Sequence, residues 1–163
     1  MSLRFITALV LSFVCLLTPA WADYQGYQAG MDAYDRGDYA TALREWRPLA
    51  EQGNPGAQFN LGQLYLKGHG VPQDYVLARQ WFEKAADQGR AEAQTSLGTM
   101  YLTGHGVPQD YQQALFWFRL AANQGNPMAY TKLGLMYERG NGVTQDVVLA
   151  HKWYILEQRA EIQ

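Results

Sequence analysis

The chain has 163 residues, 48% hydrophobic, 17% charged and 13% aromatic, with a formal charge of −2. That composition fits one globular or repeat domain and excludes a disordered or collagen-like chain. With 13 Lys+Arg against 15 Asp+Glu it also lacks the basic excess that meets phosphates, so no nucleic acid is expected as a partner.

Residues 1–22 read as a secretory signal peptide. Arg4 supplies the positive n-region, Phe5 to Leu17 form an apolar run, and Ala20-Trp21-Ala22 puts small residues at −3 and −1, so cleavage is expected after Ala22. The run of 13 residues is shorter than the roughly 20 that a membrane-spanning helix needs, and no later stretch is a candidate. An uncleaved interfacial anchor is the alternative. Cys15, the one cysteine, follows Phe13-Val14, where a lipid-modified site calls for small residues. The exported chain then has no thiol to misoxidise and no disulfide to stabilise it. A periplasmic or secreted location is expected.

Residues 24–36 and 38–51 read as a first helix pair turning at Gly37. Within it Gly37-Asp38-Tyr39, Ala42, Trp46, Leu49, Ala50 and Gly53 match the second half of a unit that recurs downstream, whereas Tyr24 to Arg36 lacks its loop insertion. Residues 23–53 are therefore expected to be an N-terminal unit of shorter form.

From residue 54 a period of 36 residues takes over. Asn54 to Gly89 laid over Arg90 to Gly125 gives the same residue at 21 of 36 positions, among them Leu61/Leu97, Gly62/Gly98, a GHGVPQDY block and Trp81-Phe82/Trp117-Phe118. A third copy over 126–163 keeps Ala129, Leu133, Gly134, Tyr137, Asp146 and Trp153, and lacks the closing Ala-Ala and Gln-Gly, so it reads as C-terminally truncated. Ala57, Leu61, Leu64 and Tyr65 form one helical stripe, and Ala78, Trp81, Phe82 and Ala85 a second. Gly68 suits a left-handed helix end, Pro72 blocks continuation, and Asp74 suits an N-cap. Gly53-Asn54-Pro55 and Gly125-Asn126-Pro127 read as C′ glycine, N-cap and N1 proline.

The spacing thus predicts helices over 56–67 with 74–88, 92–103 with 110–124, and 128–139 with 146–160. Such a pair cannot bury its stripe alone, so the copies of 54–89, 90–125 and 126–163 are expected to stack. Trp81 and Trp117 are expected in the core, and Gly62, Gly98 and Gly134 are expected to admit a neighbouring backbone.

The pattern A-x(3)-L-G-x(2)-Y-L-x-G-x-G-V-P-Q-D-Y-x(2)-A-x(2)-W-F-x(2)-A-A-x-Q-G resembles the Sel-one-like repeat (SLR), a relative of the tetratricopeptide repeat. The resemblance covers Asn54 to about Glu157, and the first unit looks more like the shorter tetratricopeptide form. It implies an all-α fold, a right-handed α/α superhelix of about four helix-turn-helix repeats. It also implies a non-catalytic adaptor that binds proteins or peptides, often in bacterial envelopes. Two features depart from the family. The paired cysteines of some secreted members are missing, and Glu45 stands where other units carry Trp81, Trp117 and Trp153, as suits an end cap with a more polar outer face.

Nothing in the chain reads as an active site. Ser96, the one serine after residue 22, has no Lys three residues on and sits in no Gly-x-Ser-x-Gly elbow, so a hydrolase ranks third among the readings. His69 and His105 occupy equivalent loops one repeat apart, too far for one zinc ion, and read as exposed loop residues between demanding glycines. Asp74, Asp110 and Asp146 recur as caps rather than as a calcium or acid-base row. Gly68-His69-Gly70 lacks the Lys and preceding strand of a phosphate loop. No metal and no cofactor are expected.

The stripe displaced around each first helix is left for a partner: Phe59, Asn60, Gln63 and Lys67, then Thr95, Ser96, Thr99 and Thr103, then Thr131, Lys132, Leu135 and Arg139. These positions vary while the frame repeats, as a tuned surface or neutral drift would both produce. In the resembled family first helices line the concave face, and Asn60 stands where tetratricopeptide domains often hold a peptide backbone. A mostly neutral, hydroxyl-rich face with Lys67, Lys132 and Arg139 suits an extended peptide with a carboxylate or acidic residues, bound modestly because the segment must be ordered. The alternative is self-assembly, a homodimer through an uncapped last repeat with Ile155, Leu156 and Ile162.

Overall fold

The structure, a computed structural model, describes residues 21–160. The expected signal peptide lies outside them except for Trp21 and Ala22, and Cys15 lies outside them too. The described residues form eight helices and no strand: α1 over 21–35, α2 Tyr39–Glu51, α3 Pro55–Lys67, α4 Tyr75–Asp87, α5 Ala91–Thr103, α6 Tyr111–Ala122, α7 Pro127–Arg139 and α8 Val147–Ala160.

Local chemistry sets most of these ends. Asp38, Asp74 and Asp146 cap α2, α4 and α8 by accepting from the amides of Thr41, Leu77 and Leu149 at 3.1, 2.9 and 2.9 Å. Asp110 takes two amides of α6, those of Gln112 and Gln113. The Thr41 hydroxyl and amide hold the Asp38 carboxyl below its ordinary range. Asn54 and Asn126 cap α3 and α7. Among α2 to α8, only α5 starts without a side-chain cap, at Arg90, with Glu92 in its first turn. Gly68, Gly104 and Gly140 close α3, α5 and α7 at φ 70°, 77° and 71°, a region that L side chains avoid. The loop then folds back, because the side-chain amides of Gln73, Gln109 and Gln145 donate to the carbonyls of Leu66, Leu102 and Glu138, each at 2.8 Å.

From α2 to α8 each helix packs on its neighbour in the chain, which makes the chain an all-α repeat solenoid. Its core falls into three clusters, and each straddles a joint between units: Trp46 and Leu49 with Leu61 and Leu64, Phe82 with Leu97 and Met100, Phe118 with Leu133 and Met136. Fully buried alanines on both sides of every joint let the helices close up. Buried glutamines tie the joints. Gln58 donates to the Ala50 carbonyl and accepts from Gln88, and Gln94 donates to the Ala86 carbonyl and accepts from Gln124.

Two packing expectations need correction. The rings at the centre of the joints are Phe82 and Phe118, with Trp46 at the equivalent place in the first unit, whereas Trp81, Trp117 and Trp153 are half-buried. A step of one residue turns a helix by about 100°, so the neighbour's position selects the second aromatic of each pair. Gly62 and Gly98 do not admit a neighbouring backbone; they lie under the Phe82 and Phe118 rings of their own units, 2.5 Å from where a Cβ would stand, and Gly134 lies under Tyr154. The close approach between units occurs at the loop glycines. A Cβ on Gly70, Gly106 or Gly142 would stand 2.8, 2.8 or 2.6 Å from Tyr39, Tyr75 or Tyr111 of the preceding unit.

Candidate functional site

Two open-sided cavities lie along the face built by α1, α3, α5 and α7. The first, about 320 Å³, has Met31, Tyr34 and Asp35 on one wall and Phe59, Asn60, Gln63 and Lys67 on the other, with Trp46 behind. The second, about 460 Å³, is lined by Thr95, Ser96, Thr99 and Thr103 on α5 and by Met128 and Lys132 on α7. Leu66, Tyr75, Met100 and His105 complete it. Gln63 of the first cavity donates to the Ser96 hydroxyl of the second at 3.5 Å, so one side-chain bridge links the walls of the two.

Nine of the twelve residues expected on this face line the cavities: Phe59, Asn60, Gln63 and Lys67 in one, Thr95, Ser96, Thr99, Thr103 and Lys132 in the other. Leu135 and Arg139 line neither. Thr131 is turned to α8, where its hydroxyl donates to Glu157 at 2.7 Å. Thr95 is buried, and its hydroxyl lies 3.0 Å from the Ala91 carbonyl and 3.2 Å from the Asn126 side chain, which places it at the joint.

The expected hydroxyl-rich character also changes. Ser96, Thr99 and Thr103 donate to the carbonyls of Glu92, Thr95 and Thr99 at 3.0, 2.9 and 2.9 Å. A hydroxyl has one proton, so these groups have none left to give and the threonines add methyls to the wall. Asn60 is engaged as well, donating to the Tyr27 hydroxyl at 3.3 Å, and Lys67 donates to that of Tyr34 at 3.1 Å.

Sequence reasoning missed the walls supplied from outside each stripe and the stacking of the histidines; His105 is exposed between Gly104 and Gly106 as expected, whereas His69 is half-buried. His69 stacks on Tyr39 with ring centroids 4.2 Å apart, and His105 stacks on Tyr75 at 4.9 Å and 9°. Each loop thus lays its histidine on the tyrosine that opens the second helix of the preceding unit. The recurrence of Tyr39 and Tyr75 exactly thirty residues before His69 and His105 was the available signal. Among the described residues no group of His, Cys, Asp and Glu is placed to hold a metal ion. No described helix is long and apolar enough to cross a membrane.

The fold is similar to that of solved structures. One is a protective antigen present in uropathogenic Escherichia coli strains displaying an SLR fold, 36% identical over 91% of this chain with a TM-score of 0.79. Another is a Sel1 repeat protein from Oxalobacter formigenes, 34% identical over 82% with a TM-score of 0.75. The matched regions are 33% and 55% of those two chains, so this chain spans part of their length. No curated protein matches it. The family model for the Sel1 repeat matches three times, over residues 55–89, 91–126 and 127–156. With three successive matches that span more than half of it, the chain belongs to the Sel1 repeat family.

Proposed function

We propose that the protein is a non-catalytic adaptor of the bacterial cell envelope, periplasmic or secreted, which holds a protein or extended peptide segment along the face of its first helices. The two open-sided cavities along the face of α1, α3, α5 and α7 carry this reading, since they set apolar and polar side chains of successive units on one side of the chain. The leader-like character of residues 1–22 supports the location, and 23–53 serves as the N-terminal capping unit.

A photo-crosslinking residue placed at Ser96 or Thr99 in intact cells is expected to trap one common species, and the same residue at exposed Gln80 on α4 none. Crosslinks from Gln80 alone would refute the choice of face. Self-association is the second reading, favoured by Val147, Val148, Ile155 and Leu156, which are all exposed on α8. Light scattering decides it: a monomer at micromolar concentration removes it.

A further inference from the structure

We propose that the Asn141-Gly142 peptide is a site of spontaneous self-modification, at which the folded chain loses ammonia and converts Asn141 to aspartate and isoaspartate. Comparison of the three long loops sets this one apart. Thirty residues after Tyr39 and Tyr75 stand His69 and His105, each stacked on its tyrosine, whereas thirty residues after Tyr111 stands Asn141. The Asn141 carboxamide makes no hydrogen bond among the described residues, and neither does the Gly142 N–H. The loop is held through its other groups: the Asn141 N–H donates to the Met136 carbonyl at 2.9 Å, and the Gly142 carbonyl accepts from the Gln112 side-chain amide at 2.7 Å. Electrophile and nucleophile are thus adjacent in the chain and both uncommitted. Asn141 is only half-buried, so water has access. The fold also requires glycine at the next position, since Gly142 has φ 69° and a Cβ on it would stand 2.6 Å from the Tyr111 Cβ. A side chain there would shield the nitrogen from the carboxamide, and packing against Tyr111 leaves no room for one.

The Gly142 nitrogen gives its proton to solvent base and attacks the Asn141 Cγ. A new C–N bond closes a five-membered imide while the bond from Cγ to Nδ2 breaks, and Nδ2 takes up a proton and leaves as ammonia. Water then opens either carbonyl of the ring and leaves a carboxylate, with no oxidant, reductant or cofactor involved. Opening at the Asn141 main-chain carbonyl leaves Gly142 attached through Cγ. The Cα separation of the two residues, about 3.8 Å across a trans peptide, then lengthens by roughly one bond. Gly142 cannot keep both its place against Tyr111 and its bond from Gln112 along that longer path, so the joint between the last two units loosens. The loops with His69-Gly70 and His105-Gly106 have no carboxamide before the glycine and are spared.

The test keeps the full chain folded in mildly alkaline buffer, well below its thermal midpoint, and samples it over days. Peptide mass spectrometry locates the change, and enzymatic methylation reads isoaspartate. The peptide with Asn141 is expected to gain about one dalton as amide becomes acid, with ammonia released in step and the reaction faster in more alkaline buffer. The aged chain should melt at a lower temperature than the fresh one. Asn141→His, which matches the other two loops, should release ammonia only at background and keep its midpoint. The proposal fails if Asn141 stays intact in the folded chain while a guanidinium-unfolded sample loses its amide, because the loop then protects the pair. It also fails if Asn54, Asn60, Asn123 or Asn126 reacts as fast as Asn141. A modified chain that melts with the fresh one would refute the effect on the joint.

Discussion

The Phe118 ring presses on Gly98, with its Cε1 only 2.5 Å from where a Cβ would stand on that glycine. An added methyl has no room unless the ring moves away from the joint with α7. Gly98→Ala is therefore expected to lower stability by about 1–3 kcal/mol in urea denaturation. Combined with Phe118→Leu, which shortens the obstacle, the loss should be smaller than the sum of the two single changes. Additive losses would show that the two residues do not interact.

Phe82 is fully buried between α4 and α5, while its neighbour Trp81 is half-buried under the Lys84 ammonium, 4.2 Å above the ring. Phe82→Ala should cost about 3–5 kcal/mol, and Trp81→Ala should cost less although it removes the larger side chain. Equal losses, or the reverse order, would contradict the packing at this joint.

Gly89 and Gly106 both hold positive φ, 86° and 73°, but differ in surroundings. Nothing lies within 4 Å of a Cβ built on Gly89, whereas one on Gly106 meets the Tyr75 carbonyl oxygen at 2.8 Å. Alanine at Gly89 carries only the backbone strain, about 1–2 kcal/mol. Gly106→Ala adds a clash that forces two units apart, so its thermal midpoint should fall further. A matching pair of midpoints would mean that the loop does not abut the preceding unit.

Burial raises the Tyr154 phenol above its ordinary range, and its hydrogen bond to Glu138, 2.9 Å long, adds to the effect. As pH climbs past about 10 the unfolded chain gives up this proton before the folded one, so stability is intact below that point and declines above it. Tyr154→Phe should flatten the alkaline decline of the unfolding free energy. An unchanged decline would place its origin at other tyrosines.

Much of the fold was legible because its punctuation is chemistry that acts within a few residues. Asp74 and Asn126 satisfy free amides three positions on, and Gly68 and Gly104 adopt a backbone that other residues resist. Such rules hold wherever the segment lies, which is why the helix ends expected from spacing fall within a few residues of those observed. The face was legible as far as Gln63, Lys67 and Thr99 share a helical stripe. Its chemistry was not, since the same threonine hydroxyls can face a ligand or their own helix, and a letter code does not record which carbonyl receives the proton.

The amino-acid sequence alone determined the period, the helix pairs and the places where the chain turns, because each depends on neighbours along the backbone. Tertiary structure decided which ring of Trp81 and Phe82 is buried, that Tyr75 meets both Gly106 and His105, and that the Gln63 side chain reaches Ser96 of the next unit. Those outcomes depend on how one unit is rotated and set against the next, a relation between residues thirty or more positions apart.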